Sequence, residues 1–134
     1  MTKSALAILS LGQVSLLATD IARAEAFYRD TLKLPHAFTF GDLAFFMVGA
    51  TRLVLRAVKA DAWRPGSILY LVVDEIGAAY DALRAAGVSF AGAPHRIHTH
   101  DDGAEEWMAF FDDSEGNTLA LMSRVPAGTA ARAG

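Results

Sequence analysis

The chain contains no cysteine. Disulfides, thiolate metal sites and a cysteine nucleophile are therefore excluded, and a reducing, cytoplasmic setting fits. No run of Lys or Arg marks a membrane-surface or nucleic-acid patch, and the formal net charge of −3 supplies no basic field to attract a polyanion. No apolar stretch is long enough to span a bilayer. Ala5 to Ala18 is rich in Leu and Ala behind Lys3 and superficially resembles a secretory leader. Gly12, Gln13 and Ser15 interrupt it, and it runs into a strand whose removal would destroy one half of an internal repeat. The tail after Pro126 lacks any large apolar residue and is expected to fray over 127–134.

What is present is apolar and duplicated. Hydrophobic residues make up 53% of 134 residues, enough for the core of one domain spanning 1–126. Leu43-Ala-Phe-Phe-Met-Val-Gly-Ala-Thr-Arg-Leu-Val-Leu55 is echoed by Met108-Ala-Phe-Phe-Asp-Asp-Ser-Glu-Gly-Asn-Thr-Leu-Ala-Leu121, in each case a strand, a turn and a strand. Upstream, Gln13 to Ile21 is matched by Ile68 to Ile76, with an amphipathic helix after each acidic turn. A repeat of this length means one unit used twice, with any site between the copies.

Alternation predicts a first strand over Gln13 to Ala18. Asp20 is a suitable N-cap for a helix over Ile21 to Leu32, whose buried stripe is Ile21, Ala24, Phe27, Tyr28 and Leu32. Strands follow at Phe38 to Phe40, Leu43 to Val48 and Arg52 to Val58. Lys59 to Ser67 connects the copies. The second copy has a strand at Ile68 to Val73, a helix marked by Ile76, Ala79, Tyr80, Leu83 and Ala86, and Gly87 at its left-handed end. A short strand at Val88 to Phe90, a loop over Ala91 to Ala104 and a hairpin from Glu106 to Met122 complete it. The order is βαβββ twice, in modules of about 10–58 and 68–124. This is an α+β domain with a pseudo-two-fold axis and two sheets enclosing a groove.

Asp20-Ile-x-x-Ala24-x-x-Phe27-Tyr28-x-x-x-Leu32, Val73-Asp-Glu-Ile76, Gly87-Val and Asp113-Ser-Glu-Gly-Asn-x-Leu119-x-Leu121 together resemble the vicinal oxygen chelate superfamily. That superfamily includes glyoxalases, extradiol dioxygenases and bleomycin-resistance proteins. The resemblance spans about residues 10 to 124 and implies the glyoxalase-like fold, with a homodimer by analogy. One departure is Lys33, where members often carry Gly after the helix: either the turn differs or Lys33 holds a strained conformation.

The superfamily's metal enzymes place one ligand on each of four strands. Those positions here fall on Gln13, Val54, Ile68 and Ala120. A neutral amide and three hydrocarbons cannot replace the hydration shell of a divalent ion, so neither a metal nor any other cofactor is expected.

Strand parity instead assigns to the groove Ser15, Leu17, Leu43, Phe45, Arg52, Arg56, Tyr70, Val72, Glu106, Met108, Phe110, Thr118 and Met122. This is an apolar pocket with a few polar groups, suited to a small neutral or anionic organic molecule. Its expected ligand contacts are Gln13, Phe45, Arg56, Tyr70, Trp107 and Phe110. Arg52 and Arg56 either end in water or clamp a carboxylate or phosphate. Glu106 is either a solvated carboxylate or a general base.

Three histidines cluster in His95-Arg-Ile-His-Thr-His100, and His98 is the second proton-transfer candidate. Trp107 either anchors this loop or touches a ligand. His36 has no partner in sequence and reads as a surface residue. Three functions remain open: a metal-independent binding protein of the bleomycin-resistance type, a lyase, isomerase or dioxygenase-like enzyme with metal on unusual ligands, and a metal-free enzyme using Glu106 or a loop histidine.

Overall fold

The structure, a computed structural model, describes residues 5–128. Its elements are β1 (Gln13–Ala18), α1 (Ile21–Ala26, continued by a π-helical turn over Phe27–Thr31), β2 (His36–Phe40), β3 (Leu43–Val48) and β4 (Thr51–Ala57). After a 3₁₀ turn at Ala60–Ala62 come β5 (Leu69–Val72), α2 (Ile76–Ala85), β6 (His95–Thr99), β7 (Glu105–Asp112) and β8 (Thr118–Val125). Sheet one runs β1-β4-β3-β2 and sheet two β5-β8-β7-β6, so the two modules share one topology. In each, the first and last strands pair in parallel and the remaining pairs are antiparallel. The expected α+β pair of βαβββ modules is the observed fold.

Alternation along the strands explains why each sheet has one dry face. Leu16, Ala18, Ala44, Phe46, Leu53 and Leu55 of sheet one are buried beneath α1. Ala109, Phe111, Leu119 and Leu121 of sheet two are buried with Ile76, Tyr80 and Leu83 of α2. Burying such side chains contributes about 1.5–3 kcal/mol each, which fixes the strand register, since a one-residue slip would turn them all into water.

The first helix departs from the α-helix expected over Ile21 to Leu32. Asp20 does cap it, its side chain accepting from the Arg23 amide. The last turn is π-helical, with the Leu32 amide donating to the Phe27 carbonyl five residues back. The cause is one extra residue. From the cap Asp20 to Lys33 is one position more than from the cap Glu75 to Gly87, and both Lys33 and Gly87 hold positive φ (60° and 92°) at the ends of their helices. A π-bulge absorbs such an insertion without turning Tyr28 off the buried face. Lys33 is therefore strained, and it is the only non-glycine residue at positive φ among those described.

Two strand expectations are corrected. Val88 to Phe90 makes only a single bridge, Phe90 to Phe111. The strand that completes the second module is β6, within the segment read as a loop. All five β6 residues are exposed, so no apolar alternation announced it. His36 is also not a lone surface residue: it opens β2, lies 5.1 Å from the Phe46 ring and contacts Glu25 at 3.5 Å. Of the tail expected to fray, Ala127 and Gly128 form a turn and 129–134 lie outside the described residues. No helix among the described residues is long and apolar enough to cross a membrane.

Candidate functional site

The face of each sheet turned away from its helix carries the side chains that parity assigned to the groove. On sheet one Gln13 is opposite Arg52, Ser15 opposite Val54 and Leu17 opposite Arg56. Leu43, Phe45 and Met47 lie on the far side of Arg56, Val54 and Arg52, with Phe40 and Phe38 beyond. On sheet two Tyr70 is beside Ala120, which is beside Phe110, and Val72 is beside Met122, which is beside Met108. Glu106 faces Arg124 at one end.

Both faces are open and apolar. Val72 is 77% exposed, Phe40 75% and Tyr70 46%. Phe38 stacks on Phe45 at 4.4 Å, and Tyr70 meets Phe110 edge-on at 6.0 Å, so the aromatic side chains are held before any ligand arrives. Phe110 and Thr118 also edge a hollow of about 240 Å³.

The polar groups on these faces are organised. Arg52 Nε donates to Gln13 Oε1 at 2.7 Å, and its guanidinium carbon lies 5.1 Å from the Phe45 ring centroid. An amide and a π-face thus hold the guanidinium, and its terminal nitrogens make no hydrogen bond among the described residues. Arg56 lies two residues along the same face and has no ion pair within the described residues. Sheet one places no acidic side chain on its open face, whereas sheet two places Glu106 and, opposite Thr118, Asp112.

The second cluster joins β6, β7 and the loop between them. His98 is opposite Glu106 after a bulge in β6. The closer partner of Glu106 is nevertheless His100, whose Nε2 lies 3.1 Å from Glu106 Oε2. The approach is too oblique for a hydrogen bond, so His100 Nε2 is a buried nitrogen left without one. The His98 ring stands perpendicular to that of His100 at 4.6 Å. Arg124 reaches Asp102 at 3.6 Å across the mouth of the loop. Of the two proton-transfer candidates from sequence, Glu106 thus sits in the cluster and His98 at its edge. His100, a member of the histidine cluster named from sequence, is the one that meets Glu106.

Trp107 requires a correction. Its neighbours in register are Arg96 and Ser123, it packs against the core, and its indole donates to Glu105 at 3.0 Å. Parity puts it on the side opposite Glu106 and Met108, so it anchors β7 rather than lining the groove.

Residues 10–121 match the Glyoxalase/Bleomycin resistance protein/Dioxygenase superfamily model. The chain belongs to this superfamily. No functionally curated protein matches it. Among solved structures, a lactoylglutathione lyase from Agrobacterium tumefaciens is 21% identical, with TM-score 0.66 over 85% of this chain and 92% of that one. A superfamily member from Sphaerobacter thermophilus is 22% identical, with TM-score 0.68 over 87% and 98%. A virulence protein from Salmonella typhimurium is 21% identical, with TM-score 0.70 over 88% and 98%. At these identities the likeness concerns the fold.

The superfamily's metal does not fit this chain. Of the four positions, Val54, Ile68 and Ala120 carry no donor atom, and the remaining oxygen, Gln13 Oε1, already accepts from the cationic Arg52. A divalent ion there would meet hydrocarbon walls and a guanidinium, an uncompensated charge that costs several kcal/mol. Among the described residues no three His, Asp or Glu side chains are grouped to hold a metal elsewhere, the His98–His100–Glu106 cluster included.

A third polar assembly lies where the modules meet. Glu115, in the β7–β8 turn, has a fully buried side chain. It accepts from Arg23 Nε at 2.7 Å, from the Thr19 and Asp20 amides at 2.9 and 3.1 Å, and from Ser114 at 2.8 Å. Burial alone would raise its carboxyl, but these donors overcome that and hold it at about 2. Beside it Tyr28 donates to Asp113, burial and that carboxylate pushing the phenol up, and Asn117 donates to the Leu17 carbonyl at 2.8 Å. These bonds tie module two to β1 and α1, with Asn117 Oδ1 left as a buried acceptor without a partner. Sequence separations of 85 to 100 between partners kept it out of reach of pattern reading.

Proposed function

We propose that this superfamily member binds a small neutral or anionic organic molecule, without metal, on the open apolar faces of its sheets. The observation that carries this reading is the held guanidinium of Arg52, fixed by Gln13 and Phe45 on an apolar face, with Arg56 beside it and no carboxylate on that sheet face. A planar fork over an aromatic platform suits a carboxylate on an aromatic or unsaturated body. Phe45, Tyr70 and Phe110 supply the flat contacts, Arg56 and Gln13 the polar ones. Recognition of a cationic drug is disfavoured by the same two arginines. Faces with Phe40, Tyr70 and Val72 this exposed also favour a second copy of the chain as cover, giving a homodimer with the ligand between subunits.

A thermal-shift panel of matched aromatic carboxylates, amides and amines tests the reading. Carboxylates should raise the melting temperature most and amines least, and Arg56→Ala should remove the carboxylate preference. Amines stabilising the protein most would overturn it.

A second reading rests on the orphaned His100 Nε2 beside Glu106. Glu106, with His100 beside it, would then move a proton on a bound carbonyl or carboxylate compound without metal, giving a lyase or isomerase. Carbon-bound proton exchange of a bound carbonyl compound in deuterated water, lost in Glu106→Gln, would favour it over simple binding.

A further inference from the structure

The pseudo-two-fold axis creates two seams, and the β3–β4 and β7–β8 hairpins each reach toward the other module. At the first, the five-residue turn Asp113–Asn117 delivers Glu115 to the start of α1, and a polar hollow of about 400 Å³ lies between Phe27, Thr31, Gly87, Val88 and the Asp112–Ser114 stretch. At the second, the β3–β4 turn has only Gly49 and Ala50 and brings no acid to the start of α2, where Glu75 makes no side-chain cap. The space left is a cleft of about 300 Å³ walled by Leu32, Leu34, Val48, Leu71, Val73 and Leu83. Its single charged lining residue is Lys33.

Lys33 occupies the place that module two gives to Gly87. Both residues end their helices at positive φ, and a lysine there is strained while a glycine is not. Its ammonium makes no close ion pair within the described residues; Asp30, held by two bonds from Arg29, feels its charge from a distance. A strained residue kept at the mouth of a cavity is the kind of outlier from which a function is argued. The cleft's volume lies at the lower end for small-molecule pockets.

We propose that this second seam is a binding site, separate from the sheet faces, for an amphiphilic carboxylate of medium chain length. The aliphatic body occupies the cleft and the carboxylate pairs with Lys33 at its mouth. A purely apolar occupant would leave the cation unused, and a cationic one would be repelled by it.

Calorimetric titration of the full chain with octanoate and with octanol is the test. Octanoate should bind in the micromolar to millimolar range, and Lys33→Met should weaken it about tenfold while leaving octanol unchanged. Ala82→Phe, which fills the cleft, should abolish binding of both; if it does not fold, the Lys33→Met comparison alone decides. Octanoate that fails to bind at millimolar concentration, or binds Lys33→Met as tightly as the wild type, would overturn the proposal.

Discussion

The two seams are built by the same operation and filled with opposite chemistry. At the seam of α1, a long turn places a buried carboxylate among six donor atoms and a phenol against Asp113. At the seam of α2, a short turn leaves aliphatic walls and one strained lysine. The polar seam has hydrogen-bond geometry that admits one arrangement and so sets how the modules meet. The aliphatic seam is incompletely packed and can accept something else. Duplication supplies the frame, and turn length decides which seam is lock and which is cleft.

The sharpest way to break the comparison is to remove the lock. Glu115→Ala leaves the Thr19 and Asp20 amides and Arg23 without their acceptor, and should lower stability by about 2–3 kcal/mol in urea unfolding, as for hydrogen bonds to charged groups. At the other seam Val48→Ala removes two methyl groups already beside unfilled space and should cost about 1 kcal/mol. Equal losses at both seams would remove the distinction.

The lock should also be acid-sensitive. Glu115 has a folded value of about 2, against about 4.3 for an unfolded glutamate. Its contribution is therefore complete above about pH 5 and declines as pH falls toward 2, because the unfolded chain takes up the proton first. Glu115→Gln should flatten the fall in stability between pH 5 and pH 2. A profile unchanged by that substitution would place the acid sensitivity elsewhere.

The smallest effect has the opposite sign. Lys33→Gly relieves the positive φ and should raise stability by about 1 kcal/mol. A loss of stability would mean that Lys33 has contacts worth more than its strain.

The repeat, the strand registers and the open faces were legible because burial on one face enforces period-two alternation, as Leu53-Val54-Leu55 and Leu119-Ala120-Leu121 display. Tyr28 was legible as a stripe residue for the corresponding helical reason. β6 was not, because an edge strand exposed on both faces has no apolar pattern to show. The meeting of His100 with Glu106 was hidden by the bulge at Ile97, which shifts the register of the histidines by one. Trp107 was misplaced because its aromatic character outweighed parity, although Glu106 and Met108 on either side already put it on the other face. The roles of Glu115 and Asn117 depend on partners roughly a hundred residues away, and the turn motif indicates only that the chain reverses there.

The central claim is that the groove recognises its ligand through arginine and aromatic side chains and not through a metal. Calorimetric titration of chelator-treated protein with 2-naphthoate, wild type beside Arg56→Ala, tests it most directly. The account predicts binding without added metal, weakened about tenfold or more by Arg56→Ala, as expected for the loss of a charge-assisted contact. Binding that appears only after a divalent metal is restored, or that is indifferent to Arg56, would contradict it.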